Sequence, residues 1–193
     1  MLGCRALSPK EVQLISNELS LRNRCIFILG IRTGFRIREL LSLDIQDVLD
    51  ERGNIRGTVK VYSRNVKGKT GSQAVPLHDD AKDAIRAYLK EFPGRANDPL
   101  FRSVKSGRFP GGMKLEYTVY NKALKAACLR AEVDGMRVST HSQRKTFASN
   151  LYKALNGDVF KLQRAMRHSS VNSTAAYIEV NELEVMDAIK RVK

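Results

Sequence analysis

Apolar and polar positions along this chain follow a helical period over most of its length and a strand period only once. Ser8-Pro9-Lys10-Glu11 opens the first helical stretch. Serine stands at the N-cap, proline at the first helical position, and glutamate closes a capping box. Val12, Ile15 and Leu19 follow at helical spacing. A second helix is expected at about Asn23–Arg32, where the short apolar run CIFILGI (Cys25–Ile31) reads as a buried helix that Thr33-Gly34 stops. A third restarts with RIRELLSL. After the turn signal Asp50-Glu51-Arg52-Gly53-Asn54 the period shortens. TVKVYSRNV alternates and is rich in β-formers, VKGKTGS reads as a turn, and QAVPL as a second short strand.

HDDAKDAIRAYLKEF is helical again, with Asp79 or Asp80 as its cap. Residues 93–112 hold three prolines and four glycines and read as a loop that shifts on binding. Further helices are expected at about Tyr117–Ala131, Ser142–Leu155, Asp158–Met166 and Ser173–Tyr177, then a tail in which Leu183, Met186 and Ile189 share helical spacing. The fold class is mainly α with a small antiparallel β-sheet (α+β). No internal repeat appears, and no boundary argues for two domains within the 193 residues.

Charge narrows the partner. The chain carries 34 Lys+Arg against 20 Asp+Glu, a net charge of +14. A folded domain with that excess suits a polyanion whose counterions are released on binding. The basic residues are spread through the chain, and no Lys/Arg-faced amphipathic helix carries membrane anchors. Nucleic acid is favoured over a membrane surface. No apolar run approaches the roughly 20 residues that cross a bilayer, and MLGCRALSPKE lacks the apolar centre of a signal peptide, so a cytoplasmic, nucleoid-associated location is expected. Cys4, Cys25 and Cys128 are odd in number and far apart, and His78, His141 and His168 are dispersed. Neither a disulfide framework nor a metal-ligand spacing emerges, and no cofactor is expected.

Three polar clusters remain. In TGFRIREL (Thr33–Leu40), a glycine turn sets Arg36 at the start of a helix whose Ile37, Leu40 and Leu41 face the core. In THSQRKTFASNLY (Thr140–Tyr152), His141 and Arg144 are three apart and share a face at a helix N-terminus, where the helix dipole favours an anion. In RHSSVNSTAAY (Arg167–Tyr177), His168 precedes Tyr177 by nine residues in a segment too polar for a core helix. Taken singly, each reads as ordinary surface.

In this order, with the lysines of KGKTGSQAVPL between the first and second clusters, the four stretches resemble the tyrosine recombinase (phage integrase) family over about Leu7 to Val180. That family carries T-G-x-R-x-x-E-L, a hairpin lysine, H-x-x-R, and G-H-S-S with a tyrosine nine residues after its histidine. The resemblance implies the catalytic-domain fold of that family, with Arg36 and Arg144 as the catalytic arginines and His141 as the histidine before the second. His168 takes the place of the histidine preceding the nucleophile, and Tyr177 that of the nucleophile. Lys69 aligns best with the hairpin lysine, with Lys67 as runner-up. Glu39 matches a supporting glutamate.

The implied activity is site-specific DNA cleavage and rejoining through a 3′-phosphotyrosyl intermediate, without a metal. Two guanidiniums donate bidentately to phosphate oxygens and stay charged at any working pH. A tyrosine of pKa near ~10 needs cations and a proton acceptor; His141 is the candidate acceptor, and a hairpin lysine the acid for the leaving oxygen. The implied partners are double-stranded DNA with paired sites, a homo-tetramer that is monomeric without DNA and exchanges strands through a Holliday junction, and accessory DNA-bending proteins. A type IB topoisomerase-like enzyme and a non-catalytic DNA-binding protein on the same fold are the alternatives.

Some features depart from the pattern. Arg167 stands where the family usually has glycine, so either the turn differs or the side chain adds a phosphate contact. Ser142-Gln143 replaces the common Asp-Leu, with Ser142 still able to cap the helix. Lys145 replaces a frequent histidine, to no evident end. The chain begins about where the catalytic domain would, so either it is an excised catalytic domain or it resembles the short fimbrial phase-variation recombinases, which lack an N-terminal core-binding domain. It is expected to be a single catalytic domain over residues 1–193, with the tail 181–193 exchanged between protomers or packed on its own chain.

Overall fold

The computed structural model describes residues 3–61, 73–103, 112–178 and 182–192. The chain divides into two compact units, Met1–Phe147 and Ala148–Lys193. Among the described residues the first holds α1 (Pro9–Asn17), α2 (Leu21–Thr33), α3 (Ile37–Leu40), a 3-10 turn at Ile45–Asp47, strands β1 (Thr58–Val61) and β2 (Gln73–Pro76), α4 (Asp79–Glu91) and α5 (Tyr117–Arg130). α6 (Thr140–Ala154) starts in the first unit and runs into the second, which continues with α7 (Val159–Met166), α8 (Val171–Ala175) and α9 (Glu182–Arg191). The mainly helical chain with one small antiparallel sheet is as the periodicity predicted.

α2 is apolar on more than one face because it lies between two parts of the core, as expected of a helix without a solvent side. Cys25, Ile26 and Leu29 pack with Val59 and Val61 of β1 and with Ala81, Ile85 and Tyr88 of α4. Phe27 and Ile31 pack instead with Ile15 of α1 and with Leu124, Ala127 and Cys128 of α5. Full burial of each Ile, Leu, Val or Phe side chain among them stabilises the fold by about 1.5–3 kcal/mol. β1 alternates, with Val59 and Val61 buried and Thr58 and Lys60 exposed. It pairs with β2 in the register Thr58↔Pro76 through Val61↔Gln73. The connecting residues 62–72, with Lys67 and Lys69, lie outside the described residues, as do 104–111 of the expected 93–112 loop.

Several boundaries moved for identifiable reasons. α3 is a single turn because the chain after it pairs elsewhere: Leu100 N–H donates to Leu43 O at 2.9 Å, and Asp44 bridges Pro99. The cap of α4 is His78, whose Nδ1 accepts from Asp80 N–H at 3.3 Å. Asp79 and Asp80 occupy the first turn, where carboxylates favour the helix dipole. α8 starts two residues early, at Val171, because Ser170 rather than a later serine caps it.

The capping box of α1 forms as read, and Arg5 adds to it. Ser8 N–H donates to Glu11 Oε2 at 2.9 Å, and Arg5 Nη1 donates to the same oxygen at 2.9 Å. The Arg5 hydrogen bond first, and the Ser8 hydrogen bonds after it, hold the Glu11 carboxyl at about 2, against an ordinary value of 4.5. Because the folded value is depressed, the unfolded chain protonates first as pH falls. The stabilisation is therefore complete above about pH 4.5 and lost as pH falls to about 2. We expect the difference in unfolding free energy between wild type and Glu11→Gln to be constant at neutral pH and to shrink across that window, as read by denaturant titration at stepped pH.

Candidate active site

The first cluster is built on the end of α2. Gly34 caps that helix in a left-handed conformation, φ 64, with its N–H donating to Gly30 O at 3.1 Å. A Cβ at this position would also overlap the Phe147 ring. Both reasons call for glycine. Two residues on, Arg36 is the N-cap of α3. Its N–H donates to Glu39 Oε2 at 2.6 Å, and its Nη1 to Glu39 Oε1 at 3.2 Å. Glu39 is only 3% exposed while the Arg36 side chain is 43% exposed. A buried carboxylate thus grips the arginine at backbone and guanidinium, and the cation is aimed before any ligand arrives.

The second cluster sits on the first turn of α6. Ser139 Oγ accepts from His141 N–H at 3.2 Å, and Ser139 N–H donates back to Ser142 Oγ at 3.1 Å. Ser142 is therefore the return partner of a capping box whose cap is Ser139, and the helix begins two residues before the expected start. His141 is exposed and Arg144 is 2% exposed. An Arg144 Nη1 hydrogen bond to the Gly34 carbonyl ties α6 to the end of α2. Gln143, off the common family pattern, is buried and donates its side-chain amide to the Tyr120 hydroxyl. Burial pushes that phenol's pKa well above its usual value. Gly30 leaves the room, since a Cβ there would overlap the Gln143 amide.

Arg36, His141 and Arg144 line one cavity of about 390 Å³, together with Ile37, Arg38, Tyr117 and Thr140. Three arginines and the first turn of α6 line it, and none of these lining residues is a carboxylate. The arrangement suits an anion. Sequence reasoning missed Arg38, Tyr117 and Thr140. Arg38 and Thr140 adjoin motif residues, which was a usable signal. Tyr117 opens α5, remote from every motif, and nothing in the sequence marked it. Among the described residues, no group of three or more His, Cys, Asp or Glu side chains could hold a metal ion.

The third cluster lies in the second unit. Asp158 caps α7, accepting from Phe160 and Lys161 N–H, and the Lys161 main-chain bond leads in lowering its carboxyl pKa. The helix ends at Arg167, φ 57, which keeps the left-handed conformation that glycine would take. His168 N–H then donates to Gln163 O at 3.1 Å, and Gln163 Nε2 donates to His168 O at 3.2 Å. Ser170 caps the short α8, which carries the chain back toward His168. The imidazole Nδ1 lies 3.0 Å from Thr174 Oγ1, on a fully buried threonine. Tyr177 N–H donates to Thr174 O at 2.9 Å, and its ring lies 5.1 Å from the His168 ring, centroid to centroid. The nine-residue spacing is a left-handed turn, a cap and a short helix that bring imidazole and phenol together.

Residues 5–184 match the phage integrase family. This chain belongs to the phage integrase family. Its similar relatives include the probable integrase/recombinase YoeC of Bacillus subtilis strain 168, 29% identical over 91% of this chain and 88% of that protein. The tyrosine recombinase XerC of Halalkalibacterium halodurans is 30% identical over 90% of this chain and 55% of that protein. The chain spans about half the length of several curated relatives, 48% and 49% of two further XerC proteins. Among solved structures, XerA recombinase aligns over all of this chain and 67% of that one, with a TM-score of 0.75 and 22% identity. XerH site-specific recombinase, in a post-cleavage complex with palindromic difH substrate, aligns over 96% of this chain and 52% of that one, with a TM-score of 0.74 and 23% identity. At those identities the likeness fixes the fold, which is that of phage integrase family catalytic domains.

Gly34→Ala meets both the left-handed backbone and the Phe147 ring. We expect the first unit to lose about 2 kcal/mol or more, read as a lower denaturant midpoint with an unchanged slope.

Proposed function

We propose that this chain is a DNA breaking-and-rejoining domain of a site-specific tyrosine recombinase, acting on double-stranded DNA through a 3′-phosphotyrosyl intermediate. The observation that carries the reading is the cavity where Arg36, His141 and Arg144 meet without a lining carboxylate. In the reaction, the Tyr177 phenolic oxygen attacks the scissile phosphorus, the bond to the 5′-oxygen breaks, and the DNA is left joined to tyrosine at its 3′-phosphate. Arg36 and Arg144 neutralise the charge that builds on the non-bridging oxygens. Glu39 holds Arg36 in place for this. His141 accepts the phenol proton, and His168, steadied by Thr174, donates to a phosphate oxygen. Lys69, or Lys67 beside it, protonates the departing 5′-oxygen. The reverse attack by a 5′-hydroxyl releases tyrosine and reseals DNA, so the energy of the broken linkage is kept and no nucleotide is consumed.

The family resemblance extends the reading to a tetramer on paired sites, monomeric without DNA, and to accessory DNA-bending proteins. α9 supports the assembly. Val185, Met186 and Ile189 are all exposed, although the side chain of Leu183 lies outside the described residues. This apolar face would dock on a second copy of the chain. No helix among the described residues is long and apolar enough to cross a membrane.

Covalent capture tests the reading on DNA of any sequence. Protein is incubated with genomic fragments and quenched with detergent, and the ends of protein-linked DNA are sequenced. We expect adducts from wild type, none from Tyr177→Phe, and a fall of about 100- to 1,000-fold for Arg36→Ala or Arg144→Ala with duplex binding largely kept. Adducts persisting in Tyr177→Phe would sink the assignment of the nucleophile.

A further inference from the structure

Arg38 and Tyr117 line the same cavity as Arg36, His141 and Arg144, yet the cleavage chemistry uses neither. They come from different elements, Arg38 from α3 and Tyr117 from the first residue of α5. The two motif arginines are held in place, Arg36 by Glu39 and Arg144 by the carbonyl of Gly34. Arg38 is exposed and makes no hydrogen bond or ion pair with any described residue. Nothing among those residues draws its guanidinium away from the cavity. Tyr117 is 40% exposed, and its hydroxyl is likewise without a partner among the described residues. Exposure alone would make both ordinary solvated side chains. Their place in the wall of an arginine-lined cavity sets them apart.

Size and charge both exceed what one phosphate needs. At about 390 Å³ the cavity is in the range that encloses a whole small molecule. A single phosphodiester brings one negative charge. Counted with Glu39, it still sets only two anions against three lining arginines. None of the lining residues is a carboxylate that could meet the third. Arg38 follows Arg36 by two residues, so their α-carbons lie at most about 7 Å apart, close enough to serve neighbouring phosphates of one strand. A guanidinium donates two parallel hydrogen bonds to phosphate oxygens, and a phenol O–H adds a further donor at neutral pH.

We propose that Arg38 and Tyr117 form a second phosphate subsite in this cavity, which takes the phosphodiester next to the scissile one. The subsite rests on the reading of Arg36, His141 and Arg144 as the scissile-phosphate site. Held at two successive phosphates, a strand has a direction in the cavity as well as a bound charge, and the scissile bond is oriented with it.

The test counts phosphates. The probes are the thymidine dinucleotide, with a single phosphodiester, and the trinucleotide, with a pair of them, neither carrying a terminal phosphate. Affinities are read by chemical-shift titration at low salt, on the full chain carrying Tyr177→Phe so that no covalent capture interferes. Thermal midpoints equal to the parent's check that each variant folds. The parent should bind the trinucleotide about tenfold more tightly than the dinucleotide. Arg38→Ala is expected to cut that preference to about twofold, the statistical gain of a second phosphate, and to leave the dinucleotide within about twofold of the parent. Tyr117→Phe should weaken the trinucleotide about threefold. Arg36→Ala should weaken both ligands by about tenfold or more. An undiminished trinucleotide preference in Arg38→Ala would overturn the subsite. An equal loss on both ligands would overturn it too, since Arg38 would then act at the first phosphate, as would a parent that shows no saturable trinucleotide binding. If Arg36→Ala changes neither affinity, the scissile-phosphate reading of the cavity fails and takes the subsite with it. A loss in Arg36→Ala beside an unchanged preference in Arg38→Ala sinks the subsite alone.

Discussion

Arg144 donates to the main-chain carbonyl of Gly34, and the placement of the first two motifs follows from that contact. A guanidinium only 2% exposed is costly to bury unless its donors are met. The partner chosen lies at the C-terminal end of α2, where exposed carbonyls carry the negative end of the helix dipole. Gly34 can present that carbonyl because it turns left-handed and leaves room for Phe147. With α6 anchored there, His141 stands one turn before Arg144, and Arg36 follows Gly34 by two residues. Motifs more than 100 residues apart in sequence thereby meet at one cavity.

Polar burial positions the cations throughout. Glu39 is nearly inaccessible and grips Arg36 from below, so the arginine keeps an exposed face without searching rotamers. Gln143 meets the Tyr120 hydroxyl in a space that the missing Cβ of Gly30 provides. In the second unit a fully buried threonine, Thr174, takes the imidazole of His168 through Oγ1 and the backbone of Tyr177 through its carbonyl. Buried polar groups of this sort cost free energy when unmatched and fix geometry when matched. This explains why a segment poor in large apolar residues still holds two rings in register.

Local signals in the sequence were reliable where the physics is local. The Ser8–Glu11 capping box, the Gly34 stop and the alternation of β1 depend on neighbours a few residues away, and the structure has them as read. Boundaries set by distant partners were not legible. RIRELLSL has the period of a longer helix, yet α3 ends after one turn because the Leu43 carbonyl and the Asp44 backbone pair with the segment around Pro99 and Leu100. His78 displaced two aspartates as the cap of α4, because its own backbone is extended and its Nδ1 accepts from Asp80 N–H while the aspartates already lie in the first turn.

What the sequence determined by itself was the fold class, the family and the identity of the motif residues, because periodicity, capping chemistry and ordered spacing are properties of the chain read in one dimension. What only the tertiary structure decided was which of those residues share a cavity, and that Arg38, Tyr117 and Thr140 join them. It also decided that Arg167 keeps a glycine's conformation rather than reshaping the turn. The physical reason is the same in each case. Packing and hydrogen bonding between remote segments outweigh local preference by a few kcal/mol, and no local pattern encodes which remote segment will supply them.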